Sequence, residues 1–366
     1  MDVRAVSARR IRSQRISPPH FRSVTNVLGW MCAVQAQDYA MARWALALRA
    51  GDETPAAVDA AIDRGDILRT HLLRPTWHFV SPDDIYWLLD LSGQRIVASR
   101  KSRLRELGLD RATLRKATRI IENALTGGIS LTREEILELI RRAGISMAGN
   151  RGSHMLGWAE LHQVICSGPI RDGKRTYAML AERVPKARRL SRGESLAELA
   201  LRYFRSRGPA TLRDFSWWSG LPLRDAREGL ESVKGSLHCD RSGTAPLWSG
   251  GPAGDSRAGD SQAGDSQAGG VYLLPAFDEY LLGYEDRSAQ LRFADQSWPV
   301  SSNGVFWPIV VAEGAVVGIW RKVSAGENVS LDVRTFRGAP RPGRKALAEA
   351  MASAVKFFGR ASRGRI

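Results

Sequence analysis

One order of local signals occurs three times along this chain of 366 residues, with helical patterns followed by short strand patterns. In the first round, apolar residues recur at helical spacing over about 22–33 and 38–49, and a shorter helix covers about 55–64. Alternating apolar residues then predict strands at 67–70 and 76–80. Helices followed by a two-stranded ribbon are the order of a winged helix-turn-helix.

The second round repeats this order with different residues. Its predicted helices lie at about 93–106, 110–125, 133–143 and 157–165, and its predicted hairpin lies at 170–177. Thr132 and Glu135 have the spacing of a capping box, which opens the third of these helices. Asp172-Gly173 is typical of a tight hairpin turn. We therefore predict a second winged helix with a basic tip.

The third round spans 191–248, where Gly208-Pro209 ends a first helix and Thr211 caps a second. Within residues 249–270, Ala-Gly-Asp-Ser repeats every five residues from Ala253 to Gln267 with no apolar residue larger than alanine, which predicts a flexible insertion. Strand patterns dominate the tail, and a helix over about 344–358 closes it. The tail therefore predicts a small β-rich domain.

These patterns predict an α+β protein made of three tandem winged helix-turn-helix modules followed by a small C-terminal β-rich domain. The expected divisions are 1–92 for the first module, 93–190 for the second, 191–248 for the third, 249–270 for the insertion and 271–366 for the C-terminal domain.

Charge indicates what the chain binds. Its 54 basic and 38 acidic residues give a net charge of +16, which favours a polyanion such as nucleic acid. An arginine-rich composition without a binding site is the alternative. The three cysteines are far apart and predict no disulfide or zinc site. The sequence lacks a signal-peptide pattern and a membrane-length apolar run, so we expect neither secretion nor membrane contact. We expect a cytoplasmic protein, and we expect it to be a monomer.

The stretch Gln35-Ala36-Gln37-Asp38 lies between two of the predicted helices. We expect a turn there, with Asp38 capping the second helix and two carboxamides facing whatever approaches. Each carboxamide has donors and an acceptor on a neutral group, so a pair of them can hold a water molecule or read a base edge. The alternative interpretation is an ordinary solvated turn.

Four motifs together resemble the AlkZ-like family of bacterial DNA glycosylases. The motifs are Val34-Gln35-Ala36-Gln37-Asp38, the stretch from Arg69 to His78, Thr211 to Phe215 with Trp217-Trp218, and Leu274 to Tyr284. They occur in the family's order, and the resemblance covers nearly the whole chain outside the insertion. It implies tandem winged helices and a C-terminal β-domain.

The resemblance also implies a reaction, the excision of alkylated purines from double-stranded DNA, including bulky N7 adducts and interstrand crosslinks. Gln35 and Gln37 match the family's catalytic glutamines and would position the hydrolytic water. Alkylation leaves the purine cationic and already a good leaving group, so we expect no metal or organic cofactor. We expect a monofunctional enzyme because these motifs contain no lysine to form a Schiff base.

Further residues are candidates for the lesion pocket or for DNA contacts. They are Asp38, Arg74, Thr76, Trp77, His78, Lys174 and Arg175. Asp38 either stabilises a sugar cation or caps a helix. The aromatic ribbon around His78 either lines the lesion pocket or contacts DNA, or it faces the core.

Other conspicuous residues are expected to be structural. Asp278 and Glu279 are expected to form a structural ion pair with an arginine such as Arg287, and the alternative is an acid–base or metal-binding role. Trp217 and Trp218 are expected in the core, and the alternative is stacking on a base.

Two other function classes remain open on the sequence alone. A non-catalytic winged-helix regulator would bind undamaged duplex and would not depend on Gln37. A resistance protein would instead bind a free alkylating compound without DNA.

Overall fold

A computed structural model describes residues 1–18, 20–51, 53–186, 188–250, 270–293, 304–325 and 328–359. Most of the predicted flexible insertion, residues 251–269, lies outside the described residues. The chain opens with a helix that the sequence patterns did not predict, α1 (Val3–Ser13). None of the described helices is long and apolar enough to span a membrane.

The first unit, residues 24–80, alternates helices with the strands of one small sheet. Its elements are α2 (Val24–Met31), β1 (Ala33–Gln35), α3 (Tyr39–Arg49), α4 (Pro55–Arg64), β2 (Leu68–Leu72) and β3 (Thr76–Val80). The sheet is antiparallel with the order β1-β3-β2. The expectation of a helix through residue 33 and a plain turn after it was wrong. Cys32 has a φ of 65°, which ends α2 and turns the chain into β1.

The second unit, residues 111–179, repeats the element order and sheet of the first. After the linking helices α5 (Ile85–Ser99) and α6 (Lys101–Glu106), it contains α7 (Arg111–Leu125), β4 (Leu131–Thr132), α8 (Arg133–Arg142), α9 (Arg151–Leu161), β5 (Ile165–Ser167) and β6 (Thr176–Met179). Its sheet order, β4-β6-β5, is the same as β1-β3-β2 of the first unit. A short helix, α10 (Leu180–Arg183), follows.

Local signals in the second unit were mostly correct. Thr132 and Glu135 form the predicted capping box, and Asp172 and Gly173 both have positive φ, as a tight hairpin turn requires. The expected helix over 157–165 ends at Leu161, and its last residues belong to β5. Helix α5 runs unbroken across residues 92 and 93, so the expected domain boundary falls inside a helix.

The third unit, residues 192–250, is a reduced version of the same arrangement. It consists of α11 (Arg192–Arg207), α12 (Leu212–Ser219), α13 (Leu223–Val233), β7 (Leu237–Asp240) and β8 (Leu247–Gly250). A single bridge between Ala210 and Trp248 replaces the first strand of the other two units. Thr211 and Asp214 form a capping box at the start of α12, as the sequence predicts.

A four-stranded antiparallel sheet, here called the C-terminal sheet, follows the third unit. The elements of this region are β9 (Val271–Leu274), α14 (Glu279–Leu282), β10 (Ile309–Ala312), β11 (Ala315–Ala325), β12 (Asn328–Thr335) and α15 (Arg344–Phe358). The strand order is β12-β11-β10-β9. Glu313 and Gly314, both with positive φ, form the tight turn between β10 and β11, and the predicted bounds of α15 agree with the structure.

The cores do not follow the order of the chain. Buried residues of α2 to α4 and of the C-terminal sheet form one hydrophobic cluster. In it, the Trp44 ring lies 5.2 Å from that of Phe357 and its indole N–H donates to the Leu273 carbonyl at 2.8 Å. The third unit packs on β2, β3 and α5 in a second cluster. The second unit has a cluster of its own.

Candidate active site

The glutamine motif is held by strand pairing. Gln35 is the last residue of β1 and lies opposite His78 on β3, which lies opposite Thr70 on β2. Directly paired residues project from the same face of a sheet, so these three side chains form a row. The backbone N–H of Ala36 then donates to the Trp77 carbonyl at 2.7 Å. Long-range pairing therefore fixes a segment that local signals describe only as a turn.

Arg74 orients the side chain of Gln35. Its Nη2 donates to Gln35 Oε1 at 3.1 Å. Arginine has no hydrogen-bond acceptor, so the amide oxygen must face Arg74 and the amide NH2 remains available to donate elsewhere. The Arg74 guanidinium also lies 4.2 Å from the centre of the Trp217 ring. Burial lowers the pKa of Arg74 to about 10, which still leaves the group charged at neutral pH.

Glu279, on α14, fixes the backbone of the same glutamine. Its Oε1 accepts the Gln35 backbone N–H at 3.0 Å. Its Oε2 accepts from Arg207 Nη2 at 2.7 Å and from the Trp218 indole at 2.8 Å. Burial alone would raise the pKa of Glu279, but the charge of the Arg207 guanidinium and the hydrogen bonds from Gln35 and Arg207 hold it below its usual value.

Arg207 extends this contact to the strand that carries the motif. Its Nη1 donates to the Met31 carbonyl and its Nη2 to the Ala33 carbonyl, both at 2.9 Å. Since Glu279 and Arg207 are both almost fully buried, the pair joins α11, α14 and β1 within the protein interior. Sequence reasoning did not single out Arg207, because it lies 72 positions from Glu279 and no local pattern marks it.

The two carboxylates of α14 form structural ion pairs, as the sequence predicts, but Arg287 was the wrong partner. Asp278 binds Arg49 through two hydrogen bonds of 2.8 and 2.9 Å, and Glu279 binds Arg207. Arg287 instead donates to the Leu281 carbonyl and lies 4.6 Å from the Trp217 ring. The prediction named a nearby arginine, whereas the true partners are distant in sequence because α14 packs against Arg49 on α3 and Arg207 on α11.

Gln37 and Asp38 are both exposed. Asp38 caps α3, because its carboxylate accepts the Met41 N–H at 3.1 Å. Gln37 lines a cavity of about 490 Å³ between the first and second units, whereas Gln35 does not. No hydrogen bond joins the two glutamine side chains within the described residues. The two carboxamides are therefore differently placed, one bound to Arg74 and one open to solvent.

The first hairpin contributes one aromatic wall and one buried histidine. Trp77 lines the cavity and its ring contacts His71 and the Arg69 guanidinium, with centres 4.4 and 4.3 Å away. His78 is 1% exposed, and its Nδ1 lies 3.1 Å from the carbonyl of Thr76. Burial lowers the pKa of His78 to about 4, so the ring is neutral at physiological pH.

The hairpin of the second unit faces the same cavity. Lys174 and Arg175 are exposed and line it. The Arg175 guanidinium lies 5.2 Å from the ring of Tyr39, at the start of α3. The structure thus brings the predicted residues Gln37, Trp77, Lys174 and Arg175 to one cavity. Gln35 contacts Arg74 and pairs with His78, and these three residues do not line that cavity.

No group of three or more histidine, cysteine or carboxylate side chains within the described ranges is arranged to hold a metal ion. Trp218 is in the core, as the sequence predicts, while Trp217, also on α12, is only partly buried and faces the Arg74 guanidinium.

The fold resembles that of a solved DNA glycosylase. The structure of the DNA glycosylase AlkZ from Streptomyces sahachiroi aligns with a TM-score of 0.79 over 98% of this chain and 96% of that chain, at 24% sequence identity. A curated relative from the same organism, named interstrand DNA cross-link repair glycosylase, is 25% identical over 337 residues, which are 87% of this chain and 88% of that protein.

Family membership follows from the match to a whole-chain pattern. The family model described as DNA glycosylase AlkZ-like matches residues 28–357. The chain therefore belongs to the AlkZ-like family of DNA glycosylases, as the four sequence motifs predict. It is an enzyme of DNA repair that acts on DNA, and the regulator and resistance-protein alternatives are set aside.

Proposed function

We propose that this glycosylase excises purines alkylated at N7 or N3 from double-stranded DNA and unhooks interstrand crosslinks formed through such positions. The curated relative's name supports the crosslink part of this proposal. The observation that carries the proposal is the hydrogen bond from Arg74 to Gln35, which occupies the amide oxygen of Gln35 and leaves its NH2 group to donate.

The chemistry of this substrate suits a site without a strong acid. An alkylated purine is cationic, so its bond to C1′ breaks with the electron pair moving to the base and cancelling the charge. Water forms the new bond at C1′ and loses its extra proton to solvent. The neighbouring histidine is neutral at pH 7, because burial lowers the pKa of His78 to about 4, so it does not supply a proton to the leaving base.

The two glutamines bind that water through different groups, one as a hydrogen-bond donor and one as an acceptor. Gln35, whose oxygen is bound to Arg74, donates from its NH2 group to the water oxygen. Gln37, which is exposed, accepts a water proton at its amide oxygen. This division uses both ends of a carboxamide, which a carboxylate at position 35 would not reproduce because it has no donor.

The three units are proposed to be winged helix-turn-helix modules, and the C-terminal sheet is proposed to be a β-rich domain whose core is shared with the first unit. The repeated sheet order of the first two units supports this division, and the boundary expected at 92–93 moves to the end of α5. We further propose a cytoplasmic monomer. The net charge of +16 supports phosphate contacts along the duplex.

Base release from a duplex with a single N7-methylguanine tests the reaction. We expect release by the wild type and a rate about 100-fold lower in Gln35→Glu and Gln37→Ala, the scale known for loss of one catalytic hydrogen bond. Single-turnover rates separate this effect from binding, which fluorescence anisotropy measures. Gln94→Ala is the control, since Gln94 is an exposed glutamine on α5.

The outcomes are distinguishable. Full release by Gln35→Glu would contradict the donor role of Gln35. A wild type that binds the duplex but releases neither N7-methylguanine nor a crosslinked base would contradict the proposed substrate class. Covalent trapping of the protein on DNA by borohydride would contradict monofunctional chemistry. Lys174→Met then tests whether Lys174, the lysine of the cavity lining, is the amine that forms the Schiff base.

A further inference from the structure

Positive charge is concentrated in one short stretch of the chain outside the candidate active site. Residues 100–119 contain eight basic and two acidic residues, a surplus of six positive charges against sixteen for the whole chain. Both acidic side chains already have partners, since Glu106 pairs with Arg103 at 2.9 Å and Asp110 accepts the Thr113 N–H at 2.7 Å. The basic residues of α7, which lie in this stretch, form no ion pair within the described residues.

Four basic side chains share one face of α7. Arg111, Arg115 and Arg119 are exposed and recur every four residues, which places them about 6 Å apart on successive turns of the helix. Lys116 is exposed beside Arg115 and also donates to a backbone carbonyl of the second unit at 2.8 Å. These four residues are here called the α7 face. Glu122, the carboxylate of α7, is partly buried and lies one turn beyond Arg119.

The α7 face points away from the cavity beside the glutamine motif. On the opposite side of the helix, Leu114, Ala117 and Ile121 are buried in the cluster of the second unit, where α7 packs on α8, α9 and β6. Tyr177 of β6 packs on the same cluster and lines the cavity together with Gln37, whereas no residue of α7 lines it. A duplex held at the cavity therefore has the core of the second unit between it and the α7 face.

The chemistry of the α7 face suits the phosphate backbone of DNA. A guanidinium donates two parallel N–H groups to a phosphate and stays charged at every physiological pH. Arg111 and Arg119 are about 12 Å apart along the helix, a length that covers about three phosphates of one strand. A shallow groove of about 390 Å³ runs along the face and adds the Asn123 amide as a neutral donor. An acidic protein segment would not offer charge at this regular spacing.

We propose that the α7 face binds a second DNA duplex while the cavity side of the same molecule holds the first. Bridging of two DNA segments is a property beyond base excision, and it requires only that the enzyme acts on DNA. Because contacts to phosphates carry no sequence information, the second duplex is bound whatever its sequence and without a damaged base.

The number of duplexes on one protein molecule tests this inference. Native mass spectrometry with a short undamaged duplex should give one protein with two duplexes for the wild type. We expect one protein with one duplex for Arg111→Ala/Arg115→Ala/Arg119→Ala. Protein already bound to an immobilised duplex should capture a labelled second duplex about 10-fold less in this variant. In Arg115→Ala alone, the slope of log affinity for the second duplex against log salt concentration should shrink by about 0.9.

A matched control removes three exposed charges from the C-terminal region. Arg341→Ala/Arg344→Ala/Lys345→Ala should capture the second duplex as the wild type does. Equal loss in the two triple variants would overturn the inference, because binding would then follow net charge alone. Unchanged affinity of the α7 variant for the first duplex would show that this variant is folded.

Three other results would also overturn the inference. The first is a complex with two duplexes that contains two proteins. The second is weaker binding of the first duplex by the α7 variant, which would place the α7 face on the same duplex as the cavity. The third is equal capture of a polyglutamate chain by the wild type, which would make an acidic protein the partner. Base release is measured separately, so failure of the proposed function leaves the bridging test intact.

Discussion

Burial decides what His78 can do. The side chain lies in the same row as Gln35, a position that invites an acid or base role. Removal from water lowers the pKa of this imidazole to about 4, against an ordinary value of 6.5. Between these two pH values the unfolded chain binds the proton and the folded protein does not. The folded state is therefore favoured above pH 6.5, and this advantage is lost as the pH falls towards 4.

We expect this difference in proton binding by His78 to appear in the free energy of unfolding. From pH 7 to pH 5 the wild type should lose about 2 kcal/mol more free energy of unfolding than His78→Gln, which has no such titration. Urea denaturation of both proteins at the two pH values provides the comparison. An equal loss in the two proteins would mean that His78 is protonated as readily in the folded state as in the unfolded chain.

Arg74 is a positioning residue, since it contacts Gln35 rather than the reacting atoms. In Arg74→Met the carboxamide of Gln35 is free to rotate, and we expect base release to slow about 10- to 100-fold in kcat because correct orientation is lost. KM should change little. Arg74→Lys keeps one donor and should recover part of the rate. A variant that loses DNA affinity but keeps kcat would show that Arg74 binds phosphate instead.

At the scale of elements, the sequence predicted those that carry their own local signals. Helix α15 and the capping boxes at Thr132 and Thr211 agree with the structure, because caps and periodicity act within a few residues. Strand β1 was missed because the partners that order its three residues are distant in sequence: β3 lies about 45 positions away, and Arg207 and Glu279 lie farther still. The site was predicted to the same extent. The sequence motif identified Gln35 and Gln37, but no local pattern could link Gln35 to Glu279 and Arg207.

The contact of α14 with α11 should be costly to break. Removing one member of a buried ion pair leaves the other charge unpaired, so we expect Glu279→Gln and Arg207→Met each to lower the free energy of unfolding by about 3–5 kcal/mol. The double variant should lose less than the sum of the two. Chemical denaturation measures all three, and Arg321→Ala at the exposed pair with Asp332 is the control, with an expected loss of about 1 kcal/mol or less. Additive losses would show that the two side chains act independently.

On the scale of the whole molecule, the glutamine motif depends on a core that the first unit does not complete by itself. Trp44 on α3 packs on Phe357 near the end of the chain and bonds to Leu273. The second unit, in contrast, buries Ile121 and Ile140 within its own cluster. A defect in the C-terminal region should therefore reach the motif, and a defect in the second unit should not.

Hydrogen exchange can follow both defects residue by residue. Phe357→Ala and Ile121→Ala each leave a cavity in a buried cluster, with expected losses of about 2–5 kcal/mol. We expect Phe357→Ala to reduce the protection of amides in β1, α3 and β9, because these elements share one core. Ile121→Ala should reduce protection in α7 to α9 while β1 keeps that of the wild type. Equal loss of β1 protection in the two variants would mean that the molecule unfolds as one unit. The position of Gln35 would then depend on every core. It would not depend specifically on the core that forms when the C-terminal sheet and α15 pack on α3.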